Sequence, residues 1–323
     1  MSTSVEPRDP QATPEGEASQ PTSVGRGGEL VFSAISTVSG LSILAILAAV
    51  AFFLVLLAAP ALTSDPADLP YGEFWQWVAP FAFGTVWAAV LALLMAVPVA
   101  IGIALFISHY APRKLANGLG YIVDLLAAVP SVVFGLWGIN ALAPAVMPVY
   151  GWLNKAFGWF PPFAGGVSGT GRTMLTAAIV LAVMVLPIIT ALCREVFLQT
   201  PKLHEEASLA LGATRWEMIK QAVFPFGMPG IISAAMLGLG RALGETMAVA
   251  MVLSPSDQIS FELLTPNGPN TIAANIALNF PEAFGLGINQ LIASGLVLFV
   301  ITLAVNMAAR AIIASRAEFS GAN

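Results

Sequence analysis

The sequence predicts an all-α, polytopic membrane protein with six transmembrane helices, and three observations carry that expectation. Of 323 residues, 57% are hydrophobic and only 10% charged, with a mean hydropathy of +0.83. Soluble domains carry about 25% charged residues. The charges cluster between apolar runs, and six of those runs reach the roughly 20 residues a helix needs to cross a hydrocarbon core. The formal net charge of -5 says little about partners, because position along the chain matters more than the sum.

Taken in order, residues 1–29 are rich in Pro, Glu, Ser, Thr and Gly and read as a disordered cytoplasmic tail. The acidic residues there argue against a cleaved signal. The first span is Leu30–Ser64. The second, Phe74–Ser108, exceeds one crossing, so its start near Phe74–Phe81 is expected along the interface, with Pro80 and Pro98 as places for a bend. The third is Leu125–Asn154, the fourth Thr173–Cys193, and the fifth Gln221–Gly240, extended past Arg241 and Glu245. The sixth is Ala283–Ala309. Residues 30–318 thus form one transmembrane domain, followed by a short tail over 319–323.

Basic residues in the connections set the orientation. The first connection holds Asp65, Asp68 and Glu73 and no Lys or Arg, and the fifth holds Asp257, Glu262 and Glu282 and again none. The second carries Arg113 and Lys114, the fourth Arg194, Lys202, Arg215 and Lys220, and the last span is followed by Arg310 and Arg316. Both termini are therefore expected in the cytoplasm, with odd connections outside. The third connection, with Lys155 and Arg172, breaks the alternation.

Two connections exceed simple turns. The third, about Ala143–Arg172, contains Pro144, Pro148, Pro161 and Pro162, and its Trp152, Trp159 and Phe160 suit an interfacial belt. In the fifth, Ile272, Ile276 and Phe280 at helical spacing predict a short interfacial helix. Caps over the bundle and contact surfaces for an external partner are both consistent with these segments.

Arg241 and Glu245 lie in an otherwise uncharged run. A charge near the bilayer centre costs about 2.5–3.5 kcal/mol on the insertion scale, so two in one span imply a polar path or an internal ion pair. Their i,i+4 spacing predicts one shared helix face. Pro130-Ser131, inside the third span, is either a proline kink or a helix break that turns backbone N–H groups toward an anion. Asp124 reads as a helix-end residue beside the N-terminal dipole.

The fourth connection, residues 200–225, predicts a short helix, a turn at Gly212, and a second short helix ended by Pro225. Leu209, Trp216 and Ile219 offer an apolar face. Such an element can dock into a groove of another protein. Here the chain resembles the permeases of binding-protein-dependent ABC transporters, whose loop reads Glu-Ala-Ala, three residues, Gly, nine residues, then Ile-x-Leu-Pro. This sequence has Glu206-Ala207-Ser208, Gly212 and Ala222-Val223-Phe224-Pro225 at that spacing, with Ser208, Ala222 and Phe224 as departures. The resemblance implies the type I importer architecture, a coupling helix seated in an ATPase, Glu206, Ala207 and Ser208 for docking, and Gly212 for the turn.

Three further stretches resemble the phosphate-specific permeases: Val97–Pro112, Ala128–Gly138 and Gly240–Val249. The first, through Ala-Leu-Phe-Ile-Ser-x-Tyr-Ala-Pro, favours the PstC type over its PstA-type partner. The resemblance spans roughly Val31–Ala314. It implies a phosphate importer and places Arg241 and Glu245 in the translocation path, with Arg241 as the guanidinium that matches oxyanion oxygens. Glu245 is then neutral, paired with Arg241, or an acceptor for a protonated phosphate oxygen, which sulfate lacks. Implied partners are a PstA-type permease, a PstB-type ATPase dimer, an external PstS-type phosphate-binding protein and the lipid bilayer, all at the cytoplasmic (inner) membrane.

Several classes are excluded or opposed. The four lysines, Lys114, Lys155, Lys202 and Lys220, complete no Gly-x4-Gly-Lys-Ser/Thr loop, so ATP and Mg belong to a separate ATPase and this chain is expected to bind no cofactor. One cysteine, Cys193, allows no intrachain disulfide and no cysteine metal cluster, and suggests ordinary packing. With two histidines, no metal site is expected. Nothing points to nucleic acid. Gly166-Val167-Ser168-Gly169 matches the motif of intramembrane serine proteases, but Ser168 is predicted outside while His109 and His204 fall inside. The serine and its base would be separated by the bilayer. A proton-coupled carrier would also show intramembrane Arg and Glu, yet has no need of the Glu-Ala-Ser…Gly…Pro element. A permease for sulfate or molybdate is the remaining rival.

Overall fold

In hydrocarbon every backbone N–H and C=O needs an internal partner, which an α-helix supplies within one segment. The computed structural model describes residues 26–254 and 256–317, and among them there is no strand. The tail expected over 1–29 lies outside these residues except for its last four, which are already helical. The expected tail 319–323 lies outside altogether. Six helical stretches are long and apolar enough to cross a membrane: Gly28–Thr63, Phe74–Tyr110, Ser131–Phe157, Met174–Leu198, Arg215–Leu243 and Leu286–Ala311.

The chain divides into two units, Met1–Phe52 and Phe53–Asn323. The described part of the first is helix, the beginning of α1 (Arg26–Thr63), and Gly28–Val50 is exposed throughout. In the second unit, α2 (Phe74–Leu105) runs through Pro80 and Pro98 without a break, so Phe74–Phe81 is simply its first two turns. It ends in a π-helical turn, Phe106–Tyr110. Helix α3 (Arg113–Ala127) follows in the second connection. Helix α4 (Ser131–Trp137) continues through a π turn, Gly138–Leu142, into α5 (Ala143–Phe157). Helix α6 (Met174–Leu198) is the fourth span.

The fourth connection supplies α7 (Lys202–Ala210). Next, α8 (Arg215–Met218) runs through a π turn, Ile219–Val223, into α9 (Phe224–Leu243). After a break come α10 (Met247–Val252), α11 (Ile272–Asn279) and α12 (Leu286–Ala317).

The core is built on α2 and α6, the most intimately packed pair. Ala88, Ala92, Ala96, Ala100 and Ala104 are all buried, and their spacing of four makes a stripe of small side chains down one face of α2. Against it lie Ala177, Leu181, Val185, Ile189 and Cys193 of α6, also buried. Lipid tails are as apolar as leucine, so close approach of small residues, not exclusion from water, holds such pairs. Cys193 is plain packing, as expected.

The third and fifth connections are tied by backbone bonds, Leu263 N–H donating to Pro162 O (2.8 Å) and Ser168 N–H to Leu264 O (2.9 Å), and Leu175 N–H in the first turn of α6 donates to Leu263 O (3.1 Å). Thr85, buried on α2, accepts from Ile272 N–H (3.0 Å) and donates to Phe81 O (2.7 Å), which fixes the start of α11. One turn of α2 passes against this loop so closely that a Cβ on Gly84 would overlap the Asn270 carbonyl oxygen. Gly84→Ala is therefore expected to destabilise the fold by about 1–3 kcal/mol, seen as a lowered midpoint of thermal unfolding in detergent. An unchanged midpoint would show that the loop yields freely.

Four boundaries differ from the sequence reading. The third span starts at Ser131 and not Leu125, because Pro130 has no N–H to donate and the helix stops at Ala127. Residues 113–127 form a separate helix; Leu115, Leu119, Ile122 and Leu126 recur along it at helical spacing, a signal present in the sequence. The third connection is shorter than Ala143–Arg172, since Pro144 falls in the first turn of α5 and helix continues past Pro148 to Phe157. The second short helix of the fourth connection is not ended by Pro225. That proline occupies the first turn of α9, where a missing N–H is tolerated, and the helix runs on.

Candidate functional site

Arg241 and Glu245 do not share a helix face. Helix α9 stops at Leu243, Gly244–Thr246 is non-helical, and α10 starts at Met247. The Glu245 carboxylate, 8% exposed, accepts from Ala248 N–H at 3.0 Å. It thereby closes one open donor at the start of α10, where negative charge also meets the positive end of the helix dipole. No ion pair joins Glu245 to Arg241 among the described residues. The i,i+4 expectation fails because glycine-rich backbone beside a carboxylate able to cap a new helix favours a break.

The other end of α10 is also held by a side chain. Arg172 Nη2 donates to Met251 O (3.2 Å) and Leu253 O (3.0 Å). A guanidinium on the last carbonyls of a helix satisfies orphan acceptors and matches the negative end of the dipole. This gives Arg172, one of the two basic residues that break the charge alternation, a structural role in the third connection.

Pro130-Ser131 is a break and not a kink. Ser131, half-buried, opens α4 beside α10. A Cβ on Gly135 would meet Ala248 Cα at 2.9 Å, and one on Gly138 would meet Val252 Cγ2 at 3.0 Å. Contacts that advance together along both chains mean the two segments run parallel, with the second turn of α4 beside the first turn of α10. Ser131 and Glu245 are thus brought to neighbouring helix starts. Arg241 is not with them.

Arg241 is exposed at the end of α9 and lines an open groove of about 950 Å³ between α9 and α12, with Ile188 of α6 also contributing. The groove wall is mainly apolar, with Met236, Leu237, Leu303 and Met307. Its polar members are Ser233, Asn306, Arg241 and Arg310, and none of the lining residues among those described is acidic. Two guanidinium groups with no acidic neighbour among the described lining residues of a cleft attract anions. Arg310 was read from the sequence only as a charge after the last span. Asn306 and Ser233 carried no signal, because a lone polar residue in an apolar helix does not reveal which neighbour it faces.

The fourth connection has the predicted short helix and glycine turn. Gly212 has φ +88°, the left-handed region that favours glycine. Thr214 and Glu217 form a capping box that starts α8, with Thr214 N–H donating to Glu217 Oε2 at 2.8 Å. Glu206, Ala207 and Gly212 are exposed and Ser208 is half-buried. Of the apolar face, Leu209 (43%) and Trp216 (52%) are exposed, joined by Leu203 (75%) and Leu211 (90%), whereas Ile219 is fully buried in the bundle. The offered surface is thus Leu203, Leu209, Leu211 and Trp216.

Residues 100–316 match the family described as binding-protein-dependent transport system inner membrane component. The chain belongs to that family. Within it, the chain is 44% identical over 306 residues to "Phosphate transport system permease protein PstC 2" of Mycobacterium tuberculosis, covering 89% of this chain and 92% of that protein. It is 45% identical over 279 residues to the PstC of Mycobacterium leprae, covering 82% and 87%. A chain of a bacterial alginate ABC transporter crystallised in complex with an alginate pentasaccharide-bound periplasmic protein superposes with TM-score 0.57 at 17% identity, over 88% of this chain and 93% of that one. At that identity the likeness concerns the fold, which is the importer permease fold expected from the sequence.

Glu206 and Ala207 lie exposed on α7, and the left-handed Gly212 makes the turn that follows it at the surface. The permease also holds groups that its motifs did not single out: Arg310 and Asn306 in the groove, Arg172 on α10, and His109 at the end of the second span.

Proposed function

We propose that this permease is the transmembrane subunit of an ATP-driven importer of inorganic phosphate. It forms half of the translocation path and performs no covalent chemistry. The observation that carries this reading is the groove with Arg241 and Arg310 and no acidic residue among the described lining residues. A permanently charged, planar fork matches the oxygens of an oxyanion, and relatives at 44–45% identity are named as phosphate permeases. Arg241 is the primary countercharge. Glu245 and Ser131, at the paired starts of α10 and α4, lie beside N–H groups whose dipoles favour negative charge, with the second carboxylate oxygen of Glu245 available to a protonated phosphate oxygen.

A homologous PstA-type permease completes the path, a PstB-type ATPase dimer seats against Glu206, Ala207 and the turn at Gly212, with Ser208 behind them on the half-buried side of α7, and a PstS-type protein delivers phosphate from outside. ATP and Mg are bound by the ATPase. Both termini and the fourth connection face the cytoplasm, with residues 1–29 as a cytoplasmic tail. ATP-driven closure of the coupling helices shifts the population between outward and inward states through contacts that differ between them.

Binding-protein-dependent uptake of labelled phosphate, with unlabelled phosphate, arsenate, sulfate and molybdate in competition, tests the substrate. Phosphate and arsenate should compete strongly and the other two weakly. Failure of phosphate to compete would replace this reading with that of another oxyanion.

A further inference from the structure

Helix α7 has two faces with different attachments. Glu206 and Ala207 are exposed, while Glu205 and Ser208 are half-buried and, three residues apart, lie on one side of the helix. Both make polar contacts back to the bundle, and these reach different spans.

Glu205 Oε1 lies 3.5 Å from His109 Nε2 at the end of the second span, with the two side chains 24% and 10% exposed. The other ring nitrogen, Nδ1, is 2.7 Å from the Ser108 hydroxyl, which also lies 2.8 Å from Ala104 O. The imidazole is thus held at both nitrogens, which sets its orientation. Tyr110 and Arg215 are the other titratable groups lining the same small cavity. Ser208 donates to Gln221 Oε1 at 3.4 Å, at the entry to the fifth span. This bond accounts for a serine where the family loop has alanine.

The two landing points share a feature. His109 sits in the π turn Phe106–Tyr110 and Gln221 in the π turn Ile219–Val223. Such turns occur mostly singly within α-helices and concentrate at functional sites. Beyond them, α2 packs along α6 and α9, and α9 leads to Arg241 and the break before α10.

We infer that the inner face of α7 is a two-point transmission contact, with Glu205–His109 driving the second span and Ser208–Gln221 the fifth. This rests on the reading of the fourth connection as the coupling element. Force applied by an ATPase to the outer face then reaches both spans at once. Glu205 and His109 are positioning residues that touch no substrate. A half-buried pair resists displacement more than a fully solvated one, because less water screens it.

The test uses the assembled transporter in proteoliposomes with its external binding protein, reading phosphate moved per ATP hydrolysed. His109→Ala and Glu205→Ala should each lower that ratio by about fivefold or more, the low end of allosteric coupling, while the ATPase still co-purifies. The double variant should be no worse than the poorer single. The charge-exchanged pair His109→Glu with Glu205→Lys should recover most of what His109→Glu alone loses. An unchanged ratio in the single variants, multiplying losses in the double, or no recovery on exchange would each overturn the inference. If the native assembly hydrolyses ATP in response to the binding protein but moves no phosphate, the substrate reading fails. The same variants then test the contact through that stimulation.

Discussion

Arg241→Gln is expected to reduce phosphate uptake about 10- to 100-fold while the subunit still assembles with its partners. The estimate follows from the loss of hydrogen bonds to a charged group, about 1.5–3 kcal/mol, at roughly a factor of ten per 1.4 kcal/mol. Arg241 is exposed and outside every ion pair among the described residues, so the substitution removes no native contact of that kind and should leave folding intact. Arg241→Lys keeps the charge without the planar fork and should fall between.

Glu245→Gln offers a contrast at the neighbouring break. An amide oxygen can still accept from Ala248 N–H, so the start of α10 survives, but the carboxylate is gone. Lower phosphate uptake with a smaller preference over sulfate is the expected result. Normal uptake in both Gln variants, measured on assembled complexes, would remove these residues from the path.

Gly212→Val should uncouple transport from ATP hydrolysis, with uptake down at least about tenfold. At φ +88° a β-branched residue meets a backbone strain of about 1–3 kcal/mol. A Cβ there meets nothing within 4 Å, so the penalty lies in the turn itself and is relieved by re-aiming α7. Gly212→Asn should be milder, since asparagine tolerates the left-handed region. Uptake and co-purification of the ATPase, measured for both variants, check this ordering. Equal behaviour of Val and Asn would mean that side-chain bulk and not backbone conformation decides the outcome.

The legible features were those that repeat or that carry an unusual demand. Long uncharged runs marked the spans, because hydropathy sums locally whatever the neighbours are. Gly212 between two short amphipathic stretches marked a helix–turn–helix that the structure bears out, and the structure adds the capping box of Thr214 and Glu217 that starts α8. Helix α3 is legible in the spacing of Leu115, Leu119, Ile122 and Leu126, but these residues merge with the longer uncharged run that begins at Leu125. The break between Arg241 and Glu245 was not legible from spacing. Glycine permits both a continuous helix and an interruption, and the choice depends on whether the freed backbone groups find partners.

By itself the sequence determined an all-helical membrane chain, its number of spans, the glycine turn and the presence of charge in apolar surroundings. Each of these follows from residues acting alone or within one helical turn. Only the tertiary structure decided where those charges point. Arg172 reaches carbonyls 79 and 81 residues away, Arg310 joins Arg241 across two helices, and His109 meets Glu205 from another span. Such pairings depend on how helices approach, and that is settled by which small faces fit together, a property of the packed bundle and of no single segment.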